Sequence, residues 1–274
     1  MARFLLLCVL LVCSSCSTVR FAYNNADLYL RWQLGKYLDV EGAQSEELDR
    51  HVAAFLAWHR ANALPQYVRL VNGAATRFVR GASQEDLVWG YDSIQAQVLQ
   101  AVRAGAGEIA DLLDRLTPEQ IAQLERKFAE DNRKYAREFL AGSVEERRRR
   151  RVKRNVERLE EWFGDLSEAQ IERVRRYAER APFPEGMRER ERKRLQTEFL
   201  AIVRGREAKA RFADWAVHWD RGRDPAHAAV VRAQRMEYFA MLLDVNKTLT
   251  ASQRQAAETR LRELASDFER LSRK

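Results

Sequence analysis

Cysteine is almost absent from this chain of 274 residues. Its three copies, Cys8, Cys13 and Cys16, all lie within the first sixteen positions. The rest of the chain therefore cannot form an internal disulfide or a cysteine-based metal site. A fold stabilised by a disulfide framework or by zinc–thiolate clusters is excluded.

Residues that break helices are also scarce, because the chain has only five prolines and twelve glycines. No segment alternates apolar and polar residues with the period of two that a half-buried strand needs. Alanine, leucine, arginine and glutamate are abundant, and all four favour helix. The sequence therefore predicts an all-α fold, a bundle or array of about nine or ten amphipathic helices without a sheet.

The motifs of common catalytic and cofactor sites are missing. There is no Gly-x-Ser-x-Gly nucleophile elbow, no Gly-x-x-x-x-Gly-Lys phosphate loop and no dinucleotide fingerprint. The four histidines, none of them in a His-Glu-x-x-His zinc motif, are His51, His59, His218 and His227. We interpret His51 and His59 as residues at the edge of an amphipathic helix. The sequence predicts a protein without catalytic activity, cofactor or metal, and an enzyme of unrecognised type is the least favoured alternative.

The longest apolar run, residues 4–12, has the sequence FLLLCVLLV. As a helix it would span about 14 Å, half of a bilayer core, so it is too short to be a transmembrane helix. Arg3 before it and the small residues Ser14 and Ser15 after it complete the order of a secretory signal. Because Cys16 follows directly, this segment resembles the lipobox, at which bacterial lipoproteins are cut and acylated on cysteine.

The lipobox resemblance implies that residues 1–15 are a signal peptide, that Cys16 carries lipid and that residues 16–25 are a lipidated tether. The membrane would then be the first partner, reached through the N-terminal lipid. Ser17 rather than Asp follows the cysteine, which in Gram-negative lipoproteins implies sorting to the outer membrane, facing the periplasm. An ordinary secreted protein, cut near Ser15 and left with a free cysteine, is the alternative.

Charge is unevenly distributed along the chain. The net charge is +8, or +7 without Arg3. Residues 20–115 hold ten basic and twelve acidic side chains, whereas residues 116–274 hold 37 basic and 28 acidic ones, a net charge of +9. Outside the cytoplasm the available polyanions are lipid headgroups, lipopolysaccharide and acidic proteins. We therefore expect envelope proteins or anionic envelope surfaces as partners, and no nucleic acid.

Two segments, Glu145–Arg154 and Arg188–Arg194, concentrate the basic residues. Glu145 precedes Arg149 by four residues, the favourable order for an ion pair on a helix, and the second segment alternates in sign. The first segment also contributes to an apolar stripe formed by Val144, Val152, Val156, Leu159 and Phe163. We interpret both as solvated faces of amphipathic helices, and contact with an anionic surface is the alternative.

One short pattern recurs, with the form Leu–Thr/Ser–x–x–Gln. The hydroxyl at its second position can accept a hydrogen bond from the amide three residues on, and the glutamine can reach back to the N–H of the capping residue. The pattern therefore predicts three capping boxes at helix starts. The positions are Leu116, Thr117 and Gln120; Leu166, Ser167 and Gln170; and Leu249, Thr250 and Gln253.

These pentads resemble the Leu-Thr-x-x-Gln signature of the Spy-like periplasmic chaperones, small helical proteins that cradle unfolded clients without ATP. A second resemblance covers most of the chain. The stretch from Cys16 to Asp27, together with Trp32 and the Trp58–His59 region, is similar to an uncharacterised family of predicted proteobacterial lipoproteins. That family implies no particular activity.

Pro182 and Pro184 interrupt the helical pattern and are the best candidates for a domain boundary. They would separate an N-terminal helical region, residues 26–181, from a C-terminal region, residues 185–274; one continuous domain is the alternative. A second packed group is expected beyond the prolines, formed by Phe199, Ile202, Phe212, Trp215 and Trp219.

Two features predict interruptions within the first region. A long helix after Ser45 is expected to close at Leu64–Pro65, where proline removes a backbone donor. Gly105 and Gly107 are expected to weaken or bend the chain before Ile109.

These features together predict a membrane-anchored lipoprotein of the cell envelope that acts by binding. A chaperone-like protein or assembly factor is the most concrete version, since long amphipathic helices can form a groove for an extended client. A structural protein of the envelope is the next alternative.

Overall fold

The computed structural model describes residues 15–273, with side chains from Thr18 onward. Every regular element in this range is helical, which confirms the all-α prediction. The predicted signal peptide lies outside the described residues except for the backbone of Ser15, and the side chain of Cys16 is not described. None of the described helices is both long and apolar enough to span a membrane.

The helices follow one another through short connections. The first five are α1 (Ser15–Asn24), α2 (Ala26–Leu38), α3 (Ala43–Trp58), α4 (Leu64–Val79) and α5 (Gln84–Asp114). The remainder are α6 (Pro118–Tyr135), α7 (Val144–Phe163), α8 (Glu168–Arg180), α9 (Glu185–Arg204), α10 (Ala208–Val217), α11 (Pro225–Asn246) and α12 (Ala251–Ser272). Two π-helical segments, His59–Ala63 and Ala136–Leu140, follow α3 and α6.

The chain does not leave the helical conformation at Leu64–Pro65. Both Ala63 and Leu64 have right-handed helical dihedrals, and the N–H of Leu64 bonds to the carbonyl of His59, five residues back. The wider π turn accommodates Pro65, which has no N–H to donate. The predicted closure is thus a change of helix type between α3 and α4.

Helix α5 also continues through Gly105 and Gly107 without a break. At Gly105 an added Cβ would lie 3.4 Å from Cδ2 of Phe55 on α3. That distance is an ordinary van der Waals contact, so Gly105 lies where α5 packs against α3. The two glycines do not end the helix, and the bend expected before Ile109 stays a prediction.

The segment expected to be a tether is instead helical and packs on the fold. Helix α1 contacts α12, and Arg20 forms a 3.0 Å ion pair with Asp267, which is 5% exposed. Packing against α12 gives the short helix the tertiary support that an isolated ten-residue helix lacks in water. Lipidation at Cys16 stays a prediction.

Two hydrophobic cores hold the helices together. The first joins α2, α3, α5, α9 and α10 through residues such as Leu38, Leu48, Leu112 and Ile202. The second joins α7, α8 and α11 through residues such as Leu159, Val174 and Met241. Each core therefore includes residues from both sides of the two prolines, and the division at residues 182–184 stays a prediction.

Four of the five residues predicted to form a second packed group belong to the first core, whereas the fifth, Trp219, is exposed. Ile202 is buried within it, and Phe199, Phe212 and Trp215 pack against it. The prediction of a separate group was wrong because α10 packs along α5, a pairing between helices almost one hundred residues apart.

The turn at the two prolines is held by one arginine of the first basic segment. Arg151 is 3% exposed and donates to the carbonyls of Ala181 at 2.7 Å and Pro182 at 3.0 Å. Its guanidinium lies 3.8 Å from the ring centroid of Phe183 and 3.5 Å from a carboxylate oxygen of Glu185. Arg151 therefore has a structural role and does not belong to a solvated face.

Candidate functional site

The three pentads form the capping boxes that the sequence predicts. At the first, the N–H of Gln120 donates to Thr117 Oγ1 at 3.3 Å, and the N–H of Thr117 donates to Gln120 Oε1 at 2.9 Å. The same reciprocal pair occurs at Ser167 with Gln170 and at Thr250 with Gln253. The capping prediction is confirmed for the starts of α6, α8 and α12.

The second and third pentads also lock onto each other. Gln170 Nε2 donates to Gln253 Oε1 at 2.9 Å, and Gln253 Nε2 donates to Gln170 Oε1 at 3.1 Å. Each amide makes a further bond to backbone next to the other pentad, from Gln170 to Thr248 O and from Gln253 to Asp165 O. Both glutamines are buried, so this glutamine lock joins the starts of α8 and α12.

The first pentad makes a similar lock with a glutamine outside any pentad. Gln120 Nε2 donates to Gln44 Oε1 at 2.7 Å and to Asp39 O at 2.9 Å. Gln44 in turn donates to the carbonyl of Arg115 at 3.3 Å. The pentad leucines also serve the fold, because Leu116 and Leu249 are buried and Leu166 packs against the second core. The polar side chains of the pentads are thus hydrogen-bonded within the fold. They do not form a binding surface.

A cleft with a volume of about 990 Å³ lies between α5, α9, α10 and the start of α11. We name it the aromatic cleft and define it by Tyr37, Ile94, Val98, Phe128, Leu195, Phe199, Phe212, Trp215 and His227. Phe199, Phe212 and Trp215 pack on one another with ring centroids 5.6–5.8 Å apart. Ile94 and Val98 on α5 are each 55% exposed although they are large apolar residues.

A network of ion pairs fixes the edge of the aromatic cleft. Glu191, which is 8% exposed, accepts from Arg194 at 2.8 Å, and Arg194 also reaches Glu198 at 2.5 Å. Trp215 Nε1 donates to the other oxygen of Glu198 at 2.9 Å. The hydrogen bond from Arg194 lowers the pKa of Glu191, and the bond to Glu191 raises the pKa of Arg194. Glu191 and Arg194 therefore stay charged. Arg194 also binds Glu198, the residue that accepts the hydrogen bond from the indole of Trp215.

One titratable side chain in the aromatic cleft has no partner. His227, in the first turn of α11, is 5% exposed, and neither ring nitrogen has a hydrogen-bond partner within the described part of the chain. Burial lowers the pKa of His227, so its imidazole is neutral at pH 7. The described lining includes no serine, threonine or cysteine that a neutral imidazole could activate.

A second cleft, of about 530 Å³, adjoins the first between α7, α9 and α11. We name it the arginine cleft and define it by Arg154, Arg158, Arg188, Arg235, Tyr91, Tyr135 and Tyr238. Tyr91, Arg188 and Val231 line both clefts, so the two are adjacent.

Sequence reasoning identified some of these residues but not the site. It singled out Phe199, Phe212 and Trp215 as packing residues, and it read Arg154 and Arg188 as parts of solvated helix faces. It assigned nothing to His227 beyond its absence from a zinc motif. A signal was available in the sequence, because Phe212, Trp215 and Trp219, three aromatic residues of the lining, fall within eight positions.

His51 and His59 occupy the helix-edge positions expected for them, because both are partly buried. His59 lies between two tyrosines, with Nδ1 2.9 Å from Tyr23 Oη and Nε2 3.1 Å from Tyr67 Oη. His51 lies 3.4 Å from Glu47. Among the described residues, no three histidine, cysteine or acidic side chains are grouped so that they could hold a metal ion.

One family model matches the chain, and it describes a family of unknown function, DUF6279. The match covers residues 36–216, which include the first two pentads and most of the aromatic residues of the aromatic cleft. The third pentad and His227 lie beyond it. No curated protein and no solved structure matches the chain.

Proposed function

Because the chain belongs to DUF6279, a family of unknown function, we propose its role from its own sequence and geometry. It is a lipid-anchored protein of the cell envelope that acts by binding, and the aromatic cleft holds an apolar segment of a client protein. Its mode of action is chaperone-like: it covers the apolar segment until the client folds or assembles.

The aromatic cleft is the observation that carries this proposal. A cleft of about 990 Å³ lined mainly by aromatic and aliphatic side chains has the size and chemistry of a ligand site. Ile94 and Val98 remain more than half exposed beside it, and large exposed apolar residues grouped at one place mark sites of interaction. Burying them against a client contributes about 25 cal/mol per Å² of apolar surface.

The cleft also suits a client that is extended. It is bordered by polar residues such as Gln95, Gln196 and Asp220, and it is partly open to solvent. The backbone amides of an extended segment can therefore keep hydrogen bonds to water or to these residues while its apolar side chains enter the cleft.

Suppression of aggregation tests this proposal. An unrelated protein is diluted from denaturant, and light scattering is followed with stoichiometric amounts of the chain. The double substitution Ile94→Ser with Val98→Ser should abolish most of the protection, since both residues are exposed and their loss leaves the cores intact.

The matched control replaces two exposed apolar residues outside the aromatic cleft, Val79→Ser with Val144→Ser, which are 65% and 45% exposed. This variant should protect as well as the native chain. Equal protection by both variants, or no protection by the native chain, contradicts the proposal; the second result favours the structural role instead.

A further inference from the structure

The arginine cleft carries more positive charge than the fold uses. Arg154 and Arg158 on α7, Arg188 on α9 and Arg235 on α11 all line it. None of the four has a carboxylate within 4.0 Å among residues 18–273, whereas many other arginines of the same helices do. The single acidic residue in the lining, Glu185, is paired with Arg151 at 3.5 Å.

Two of these guanidinium groups lie against aromatic rings. This contact does not use the N–H donors of the guanidinium groups. Arg235 lies 4.1 Å from the ring centroid of Tyr91, and Arg154 lies 5.6 Å from that of Phe139. Arg188 donates once, to Gln234 at 2.8 Å. Each guanidinium has five N–H donors in a planar fork, so most of them remain available.

Four unpaired cations in one cleft repel each other, and the repulsion is relieved when an anion enters. Because the cleft concentrates their field, it attracts acidic groups more strongly than isolated surface arginines do. The arginines come from three helices, and they suit several carboxylates of a flexible segment better than one fixed ion.

The arginine cleft and the aromatic cleft adjoin, because Tyr91, Arg188 and Val231 line both. A single extended segment can therefore place acidic side chains in one and apolar side chains in the other. Successive residues of such a segment are spaced by about 3.3 Å, so a few residues suffice to cross the shared boundary.

We propose that the two clefts form one groove, which selects client segments in which acidic side chains lie directly beside an apolar run. This inference rests on the proposed function, because the apolar run occupies the same aromatic cleft. It adds the chemistry of the client: apolar and acidic rather than apolar alone.

Binding of three labelled peptides to the secreted full-length chain with Cys16→Ala tests this selectivity. The peptides share one apolar run, flanked by glutamates, by serines or by lysines, and fluorescence anisotropy gives the dissociation constants. The glutamate peptide should bind about tenfold more tightly than the serine peptide at low salt, since several partly exposed ion pairs each add a modest contribution. The preference should shrink as salt increases.

Charge reversal identifies the residues responsible. The double substitution Arg154→Glu with Arg158→Glu should abolish the preference for the glutamate peptide, because the two new carboxylates balance the charges of Arg188 and Arg235; circular dichroism and Tm verify the fold. Arg69→Glu with Arg260→Glu is the control, because both residues are exposed, lie outside the lining of both clefts and give the same change in net charge.

The outcomes separate the two proposals. Equal binding of the glutamate and serine peptides, or an unchanged preference after charge reversal, overturns the selectivity while leaving the apolar site in place. Failure of all three peptides to bind overturns the proposed function together with the groove. Binding to anionic vesicles through the same arginines, without any peptide preference, also overturns the inference and assigns the arginine cleft to the membrane.

Discussion

At the scale of single residues, identical side chains in one basic segment have opposite roles. Arg149 is exposed, whereas Arg151 is buried and holds the turn at Pro182. A signal for this difference was present in the sequence, because Arg151 lies seven residues after Val144 and so falls almost on the same helix face. The partner carbonyls of Ala181 and Pro182 could not be predicted, since they lie thirty residues away.

His227 links the aromatic cleft to pH. Burial lowers the pKa of His227, and Glu191 and Asp224 oppose that effect while Arg223 and Arg188 reinforce it. The unfolded chain therefore binds a proton near the ordinary pKa of about 6.5, and the folded chain binds it only at lower pH. Stability should accordingly decrease as the pH falls below about 6.5.

Thermal unfolding of His227→Phe checks this expectation. The decrease in Tm between pH 7.5 and pH 5 should be smaller in this variant than in the native chain. The Tm of the variant should still depend on pH to some extent, because burial also lowers the pKa of His59. An unchanged pH dependence in His227→Phe would contradict the assignment.

At the scale of helices, the capping boxes were predictable and their pairing was not. A capping box is complete within four residues, so the sequence contains all of it. The lock between Gln170 and Gln253 joins residues 83 positions apart, and Gln44 takes part in the other lock without belonging to a pentad. The same limit applies to α10, whose place along α5 depends on tertiary packing.

A double-mutant cycle measures the lock between the starts of α8 and α12. Gln170→Leu and Gln253→Leu should each lower the free energy of unfolding by about 1–3 kcal/mol. Each substitution leaves the side-chain amide of the other glutamine buried and partly unsatisfied. The double variant should lose clearly less free energy of unfolding than the sum of the two single variants, since no glutamine side chain is left without its partner. Urea unfolding gives the free energies. Additive costs would show that the two glutamines act only as separate caps.

Glu146→Ala separates the cap from the lock. Glu146 completes a capping box with Ser143 at the start of α7. Both residues are exposed, and this box forms no lock with a glutamine. The substitution should lower the free energy of unfolding by about 1 kcal/mol at most.

At the scale of the whole molecule, the two ends of the described chain lie together. Helix α12 packs along α4 and against α1, and Arg60 donates to the carbonyl of Leu271 at 3.3 Å. Composition and periodicity were sufficient to predict the helical class. They could not predict which helices pair, because such pairing depends on contacts between distant parts of the chain.

Membrane attachment is tested on the intact protein. Chain isolated from bacterial membranes should lack residues 1–15 and carry the mass of a diacylglyceryl group and a further acyl chain. Cys16→Ala should remove that added mass, because the acylated thiol is lost. An unprocessed chain in the soluble fraction would contradict the envelope location, and the +9 charge of residues 116–274 would then make nucleic acid a candidate partner again.

The docking of α1 on α12 has a consequence for where the protein can work. A lipid on Cys16 would sit in the first turn of a helix already packed on the fold, with no flexible linker between them. At a rise of 1.5 Å per residue, the ten residues of α1 extend only about 15 Å. The helical domain would therefore stay within a thin layer at the bilayer surface. It would bind clients that reach the membrane, and it would not reach clients farther from the bilayer.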